Sequence, residues 1–158
     1  MKNFKIFSLA FALFFAGLTA ATAQTAAQNK ANALKGMEAI NAKNYDALLA
    51  LLADNYTEYS QGPQPVVGKE AFKAGLVPFL TAFPDYKLTV DKVVAEDNLV
   101  MIVSTITGTF KADLGDMKAT GKSFKYVDCD ILEFDAQGKC TKHWAVADPA
   151  IIFQQVGQ

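Results

Sequence analysis

The strongest constraint on the fold of this sequence is a β-hairpin predicted between Ser123 and Asp148. A first strand ends at Asp135 and is followed by a three-residue loop, 136–138, before the second strand begins. Gly138 fills the third loop position, where such a loop needs a residue with positive φ. Pairing across this loop then determines which side chains of the two strands share a face of the sheet.

The predicted register places three carboxylates and two aromatic side chains on one face; of the three, we expect that of Asp128 to be structural or solvated. Trp144 lies opposite Asp130, and Asp148 lies opposite Tyr126. Carboxylates among aromatic side chains are costly to bury unless they serve a function. His143, the only histidine, falls on the other face, which favours a core or partner-surface role over catalysis. A two-residue loop would reverse the parity and separate Asp148 from Asp130.

The first 23 residues have the layout of a secretory signal peptide. Two lysines precede an apolar run over residues 6–18, and Ala21-Thr22-Ala23 has the form of a cleavage site. The run is shorter than the roughly 20 residues that a membrane span needs, although an uncleaved anchor is the alternative. We therefore expect an exported protein, periplasmic or secreted, with one mature domain at residues 24–158 and no membrane attachment after cleavage.

Charge and cysteine content argue against several functional classes. The chain has 15 lysines, no arginine and 16 acidic residues, so it lacks the bidentate contacts typical of nucleic-acid and phosphate binders. A single histidine and two cysteines without zinc-site spacing give no reason to expect a metal or another cofactor. Cys129 and Cys140 fall on opposite faces of the hairpin, so we expect no disulfide between them.

The order of the predicted elements indicates an α+β domain. Helices are predicted within 25–43, over Tyr45–Leu52 after an Asn44 N-cap, and over about Lys69–Ala82, where Pro78 favours a kink or an early end. After the third helix the sequence changes to four long strands in meander order and a short apolar tail. Helices followed by strands predict helices packed on one antiparallel sheet.

Short motifs spanning most of the chain appear in a definite order: Ala53-Asp54-Asn55-Tyr56, Val67-Gly68-Lys69-Glu70-Ala71-Phe72, Phe83-Pro84-Asp85, Thr107-Gly108-Thr109, Asp130-Ile131-Leu132-Glu133-Phe134, Gly138-Lys139, His143-Trp144, Asp148 and Gln154-Gln155-Val156-Gly157. In this order they resemble the SnoaL-like polyketide cyclases, within the nuclear-transport-factor-2-like superfamily. The resemblance implies a cone-shaped α+β barrel, in which N-terminal helices and a curved antiparallel sheet of four or more strands enclose an apolar pocket. It also implies cofactor-free aldol chemistry with a pocket Asp as acid and base, and oligomers packed sheet against sheet.

The chain departs from the family pattern at three places. Tyr59 stands where many relatives carry His, and Ala145 stands where many carry an acid. No Asp lies near Ser60, where a ketosteroid-isomerase mechanism would need its general base. These departures concern the chemistry more than the fold.

The candidate catalytic residues are Asp148, Asp130 and His143. The resemblance maps the family's strand-end acid to Asp148, and an apolar pocket would raise the pKa of such a carboxyl group toward working pH. Alternatively, Asp148 caps the terminal segment, and Asp130 bonds to the backbone or faces solvent. Candidate ligand contacts, each with core packing as the alternative, are Trp144, Tyr126, Tyr56, Tyr59 and Leu52.

Two functions are compatible with these residues. One is an exported enzyme that performs aldol-type cyclisation or isomerisation on a small hydrophobic carbonyl compound. The other is a protein that binds a small apolar molecule in the same pocket without catalysis. We also expect a homodimer, because the face with Val127, Cys129, Ile131 and Ala145 would otherwise leave apolar side chains uncovered.

Overall fold

The computed structural model describes residues 26–158 as four helices and six strands. The helices are α1 (residues 26–41), α2 (Tyr45–Leu51), α3 (Lys69–Ala82) and α4 (Ala150–Val156). The strands are β1 (Leu52–Glu58), β2 (Val66–Val67), β3 (Lys87–Glu96), β4 (Leu99–Thr109), β5 (Ser123–Phe134) and β6 (Cys140–Ala145). The predicted signal peptide, residues 1–23, lies outside the described residues. Within 26–158, every helix is too short or too polar to cross a membrane.

The six strands form one sheet in the order β2-β1-β6-β5-β4-β3. Strands β3 to β6 make the predicted antiparallel meander, and helices pack on the sheet, so the predicted α+β class is confirmed. Strand β1 pairs with β6 in parallel, which makes the sheet mixed rather than purely antiparallel. The meander separates β1 from β6 along the chain, so no hairpin turn imposes an antiparallel direction on this pair.

The helix bounds follow the local signals in the sequence. The Asn44 side chain accepts a hydrogen bond from the backbone N–H of Ala47 at 3.1 Å, so the predicted N-cap of α2 is confirmed. Helix α3 spans Lys69–Ala82 and continues through Pro78, so the predicted early end is wrong. Tertiary packing outweighs the loss of one helical hydrogen bond at this proline.

The core lies between the helices and one face of the sheet, which we call the inner face. Phe83 is fully buried there, stacked on Phe110 at a centroid distance of 5.1 Å and edge-on to Phe124 at 5.3 Å. Alternate residues of β5 point to this face, so Asp128 and Asp130 are buried in the same row as Phe124. The core therefore fixes the strand that carries two of the chain's carboxylates.

The turn of the β5–β6 hairpin has the predicted form. Gly138 has φ +73°, and its N–H donates to the carbonyl of Asp135 at 3.0 Å. Asp135 N–H donates to the carbonyl of Lys139 at 2.9 Å, and Phe134 pairs with Cys140 as predicted. The predicted loop length and the conformation of its glycine are thus confirmed.

Beyond the turn, a β-bulge at Thr141 changes the register. Glu133 pairs with Lys142 rather than with Thr141, so β6 has one extra residue at this point. Because side chains alternate, one extra residue exchanges the two faces of the rest of β6. His143 then lies opposite Leu132, and Trp144 lies opposite Ile131.

The predicted pairing of Trp144 with Asp130 is therefore wrong. His143 shares the inner face with Asp130, and Trp144 lies on the opposite face, which we call the outer face. Ala145, predicted on the outer face, pairs with Asp130 and belongs to the inner face. The prediction failed because it assumed an unbroken ladder after a correctly placed turn.

The two cysteines lie on opposite faces of the hairpin, as predicted. Cys140 pairs with the buried Phe134 on the inner face, whereas Cys129 alternates with Asp128 and Asp130 toward the outer face. Both are free thiols. Burial raises the pKa of Cys140 to about 12, so this thiol is unreactive at neutral pH.

Candidate functional site

A cavity of about 420 Å³ lies between helices α1 to α4 and the inner face of the sheet. Its volume is in the range of small-molecule sites. Most of its wall is aliphatic or aromatic; the aromatic members are Tyr56, Phe72, Phe79, Tyr86, Tyr126, Phe134 and Phe153. The charged or ionisable side chains among the others are Asp128, Asp130, Cys140 and His143, and no described lysine lines the cavity. The ionisable groups other than tyrosine are therefore concentrated on the inner faces of β5 and β6.

Asp130 has one carboxylate oxygen bound and one free. It is 7% exposed, and its Oδ1 lies 2.9 Å from His143 Nε2. Its Oδ2 is buried and has no hydrogen-bond partner among the described residues, and Asp130 is one of the residues that line the cavity. An unpaired carboxylate oxygen in an apolar wall costs free energy, so it indicates a group that meets a ligand.

His143 bridges two carboxylates from different strands. Its Nδ1 lies 2.8 Å from Glu58 Oε2, and its Nε2 contacts Asp130 as described above. The parallel pairing of β1 with β6 makes Glu58 and His143 direct neighbours, and the bulge at Thr141 turns the ring inward. Topology and bulge together assemble a linear group of acid, imidazole and acid, Glu58–His143–Asp130.

Glu58 is the site residue that the sequence interpretation missed. It is 1% exposed, and its carboxylate accepts hydrogen bonds from Tyr56 Oη at 2.7 Å, Ser60 N–H at 2.8 Å and Ser60 Oγ at 2.6 Å. Glu58 follows Tyr56 by two residues in a strand, so alternation alone could have placed both on one face. Its role as a partner of His143 depends on the β1–β6 pairing, which no local pattern encodes.

The hydrogen bonds of this group determine its charges. Burial alone would lower the pKa of His143, but its hydrogen bonds to Asp130 and Glu58, and their charges, raise the pKa to about 10. Burial would raise the pKa of Glu58, but hydrogen bonds with His143, Ser60 and Tyr56 hold it below its usual value. At neutral pH the ring is therefore an imidazolium that donates one N–H to each carboxylate.

Two tyrosines on the cavity wall retain their protons. Burial, together with the charges of Asp128 and Asp130, raises the pKa of Tyr126, and the same groups raise that of Tyr86. Neither hydroxyl forms a hydrogen bond within residues 26–158, whereas that of Tyr56 is bound to Glu58. The free hydroxyls can donate to an oxygen atom of a ligand.

Asp128 has a structural role, as expected. Its Oδ1 accepts backbone N–H groups of Cys129 at 2.7 Å, Val146 at 3.1 Å and Ala147 at 2.9 Å. These bonds hold the chain where it leaves β6. Asp128 therefore ties the end of β6 to β5, next to the catalytic candidates.

Asp148 lies outside the cavity. It is exposed, and its Oδ1 accepts the backbone N–H of Ala150 at 2.9 Å where α4 begins. The predicted cavity shared by Asp148 and Asp130 is therefore wrong, because β6 ends at Ala145 and the chain has left the sheet before residue 148. The capping alternative describes the observed contact.

Five of the eight candidate residues from the sequence line the cavity: Leu52, Tyr56, Tyr126, Asp130 and His143. Tyr59 and Trp144 do not. Their rings stack on each other, with centroids 5.0 Å apart and planes 9° apart. They flank the Glu58–His143 pair in sequence, so strand alternation directs them away from the cavity.

Within the described part of the chain, no group of three or more His, Cys, Asp or Glu side chains is arranged to hold a metal ion. The carboxylates of the site are bound to His143 and backbone groups instead.

Comparison with known proteins gives a family and several structural relatives. The family model described as SnoaL-like polyketide cyclase matches residues 31–156. No curated protein matches the sequence.

Among solved structures, the chain is similar to AclR, a candidate hydroxylase from Streptomyces galilaeus, with 24% identity, TM-score 0.71, and 84% of this chain and 86% of that chain covered. It is similar to IdmH, a candidate polyketide cyclase from Streptomyces antibioticus, with 21% identity, TM-score 0.69, and 83% of this chain and 99% of that chain covered. It is also similar to an LEH-like epoxide hydrolase of M. tuberculosis, with 14% identity, TM-score 0.67, and 83% of this chain and 90% of that chain covered. At these identities the similarities establish a cone-like fold, and their different activities show that the fold alone does not determine the reaction.

Proposed function

Because the chain belongs to the SnoaL-like polyketide cyclase family, we propose that it catalyses cofactor-free acid/base chemistry on a small hydrophobic carbonyl compound. The reaction would be an aldol-type cyclisation or an isomerisation. The observation that carries this proposal is Oδ2 of Asp130, a buried carboxylate oxygen with no partner among the described residues, on a residue that lines the cavity. A carboxylate in this position can accept a proton from a carbon atom next to a carbonyl group.

The first step moves one proton and one negative charge. Asp130 Oδ2 takes the proton from the carbon, and the bonding electrons pass to the carbonyl oxygen, giving an enolate. The total charge in the cavity does not change, because the charge leaves the carboxylate as it arrives on the substrate. The neutral hydroxyls of Tyr126 and Tyr86 on the cavity wall are the donors available to that oxygen.

The second step depends on the substrate. In a cyclisation, the enolate carbon attacks a second carbonyl carbon of the same molecule, and Asp130 returns its proton to the new alkoxide. In an isomerisation of a β,γ-unsaturated ketone, the first step gives a dienolate, and Asp130 returns the proton to its γ-carbon. Either route regenerates the carboxylate and needs no other reactant.

The charges of the site favour an uncharged substrate. Glu58 and Asp130 face one imidazolium, Asp128 also lines the cavity, and no described lysine does. A carboxylate or phosphate on the substrate would therefore meet a negative, poorly solvated wall. The volume of about 420 Å³ suits a compound of one or two rings rather than a long chain.

Exchange of carbon-bound hydrogen tests the proposal. Neutral cyclic ketones and diketones, incubated with the protein in D₂O, should gain deuterium next to the carbonyl faster than in buffer, as measured by proton NMR. Tyr126→Phe should slow the exchange by about tenfold, because one donor to the enolate oxygen is lost. Ketones that bind without exchange would instead support the non-catalytic binding function.

We also propose that the protein is exported. The support is the pattern of the first 23 residues, with its apolar run and Ala21-Thr22-Ala23. N-terminal sequencing of the protein from a cell-envelope or medium fraction should then begin at Gln24. Protein that retains Met1 and is recovered only from the cytoplasm would contradict this.

A homodimer through the outer face is the third element of the proposal. Val94, Leu99, Met101 and Val127 are exposed there, with the Tyr59–Trp144 stack at the other end of the sheet. Exposed apolar side chains on one face favour burial against a second copy. Light scattering at micromolar concentration should give twice the mass of the chain, and Val127→Lys should reduce it to the monomer. A monomeric wild-type mass would contradict the proposal.

A further inference from the structure

We propose that Glu58 is a positioning residue that acts through His143 to determine which oxygen of Asp130 is free to react. This role rests on the proposed function, in which Asp130 is the base. Glu58 itself does not need to touch the substrate. Its effect would be transmitted by the hydrogen bonds of the linear group Glu58–His143–Asp130.

The first step of the argument is that Glu58 is held rigidly. Its carboxylate is almost completely buried and accepts hydrogen bonds from the hydroxyls of Tyr56 and Ser60 and from the backbone N–H of Ser60. These donors belong to β1 and the residues directly after it, so they move with the strand. The remaining contact of the carboxylate is with Nδ1 of His143, at 2.8 and 2.9 Å from its two oxygens.

The second step is that a fixed Glu58 fixes the ring. A hydrogen bond at Nδ1 sets both the orientation of an imidazole and the nitrogen that must carry a proton. With Nδ1–H directed to Glu58, Nε2–H is directed to Oδ1 of Asp130 at 2.9 Å. Oδ1 is thereby occupied, and Oδ2 remains without a hydrogen-bond partner among the described residues. Without the ring, rotation of the carboxyl group would make its two oxygens equivalent.

The third step concerns charge. The charged groups that face His143 are Glu58 from β1 and Asp130 from β5, and both are acidic. On the same strand, Lys142 points away and contacts Glu133 on the other face. Helices α1 to α3 contribute no described charged side chain to this wall of the cavity. The imidazolium therefore places a positive charge and an N–H donor 2.9 Å from Oδ1 of Asp130, the carboxylate proposed as the base.

The variant Glu58→Gln removes the negative charge of the side chain at position 58 and keeps its shape. Glutamine keeps the volume, and its amide oxygen can still accept from Ser60. Its amide N–H can donate to an unprotonated Nδ1, which leaves a neutral ring with its proton on Nε2. The hydrogen bond to Asp130 would survive, but the positive charge would be lost.

The single histidine makes this test unambiguous, because every imidazole signal comes from His143. Nitrogen-15 NMR of the wild type should show an imidazolium at about pH 8, with a titration midpoint near the value of about 10. Glu58→Gln should move that midpoint down by roughly two pH units or more and show the Nε2–H tautomer above it. The matched control Glu133→Gln removes a carboxylate from the same hairpin on the other face and should leave the midpoint unchanged.

Activity gives the second measurement. In Glu58→Gln, loss of the imidazolium should move the acid limb of the exchange-rate profile to higher pH, whereas a purely structural loss would lower the rate equally at every pH. If Glu58→Gln does not fold, Glu58→Asp keeps the charge and should retain the imidazolium at about pH 8. A neutral ring in Glu58→Asp would overturn the proposal.

Two further results would overturn it. The first is a wild-type His143 ring that is neutral at about pH 7. The second is a titration midpoint of His143 that is the same in Glu58→Gln and in the wild type. The NMR titration needs no substrate, so it is independent of the proposed function. Absence of ketone exchange together with the expected titrations would reject the enzymatic function while leaving the hydrogen-bonded group as described.

Discussion

Asp130 and Asp148 are two carboxylates of similar sequence setting and opposite structural position. In the predicted hairpin each lies on a strand opposite an aromatic residue, and each is a candidate acid/base. In the structure Asp130 is buried in mid-strand with one oxygen unpaired among the described residues, whereas Asp148 is exposed and binds a backbone N–H where α4 begins. The comparison teaches that burial and an unfilled hydrogen-bonding position, more than residue type, separate a reactive acid from a capping one.

One residue determines which side chain of β6 lies beside Asp130. Thr141 is the extra residue of the bulge, and it directs His143 rather than Trp144 to the inner face. Asp130 therefore gains a charged partner from β6. Asp148 lies beyond the end of the strand at Ala145, so no register could bring it back to the cavity wall.

The largest effect should come from removing the shared partner of the two buried carboxylates. His143→Ala leaves Glu58 and Asp130 buried without the imidazolium between them, so the free energy of unfolding should fall by about 3 to 5 kcal/mol. Urea unfolding followed by Trp144 fluorescence measures this loss. Deletion of Thr141 is the matched control, because it removes the extra residue but keeps Cys140 opposite Phe134 and His143 opposite Leu132, so it should lose much less; equal losses would contradict the register argument.

The pH dependence of stability should show an intermediate effect. The pKa of His143 is raised from its unfolded value near 6.5 to about 10, so its stabilising contribution is full below the first value and is lost as the pH rises through the second. Between about pH 7 and 10 the free energy of unfolding should fall by about 3 kcal/mol for this reason. His143→Gln should have a flatter profile over the same interval. Parallel profiles would show that His143 is not the group that titrates.

The smallest effect should come from the capping carboxylate. Asp148→Ala removes the acceptor for the backbone N–H of Ala150 and should cost about 1 kcal/mol of unfolding free energy. Because Asp148 does not line the cavity, ketone exchange by the folded variant should remain within about twofold of wild type. A large loss of exchange without a loss of stability would restore Asp148 as a catalytic candidate.

The sequence was sufficient to predict features that depend on local chemistry. The N-cap at Asn44, the helix over Lys69–Ala82 and the turn at Gly138 each follow from residues within a few positions of one another. The strand pattern of β5 likewise predicted that Asp130 and Tyr126 share a face. These predictions hold because propensity, capping and alternation act over short distances.

Features that depend on pairing between distant segments could not be predicted in the same way. Thr141 is β-branched and typical of a regular strand, so its residue type gives no sign of a bulge. Glu58 becomes part of the site only because β1 pairs in parallel with β6, across 85 residues of sequence. The wrong faces for His143 and Trp144 follow from the missed bulge, and the omission of Glu58 follows from the missed pairing.

The most direct test of the central claim compares Asp130→Asn with Asp148→Asn in the ketone exchange assay. Both variants remove one negative charge and keep the shape of the side chain. Asp130→Asn should lose about 10²- to 10⁴-fold of the protein-catalysed exchange, while Asp148→Asn should retain it. Loss of exchange in Asp148→Asn with full activity in Asp130→Asn would contradict the assignment of Asp130 as the base.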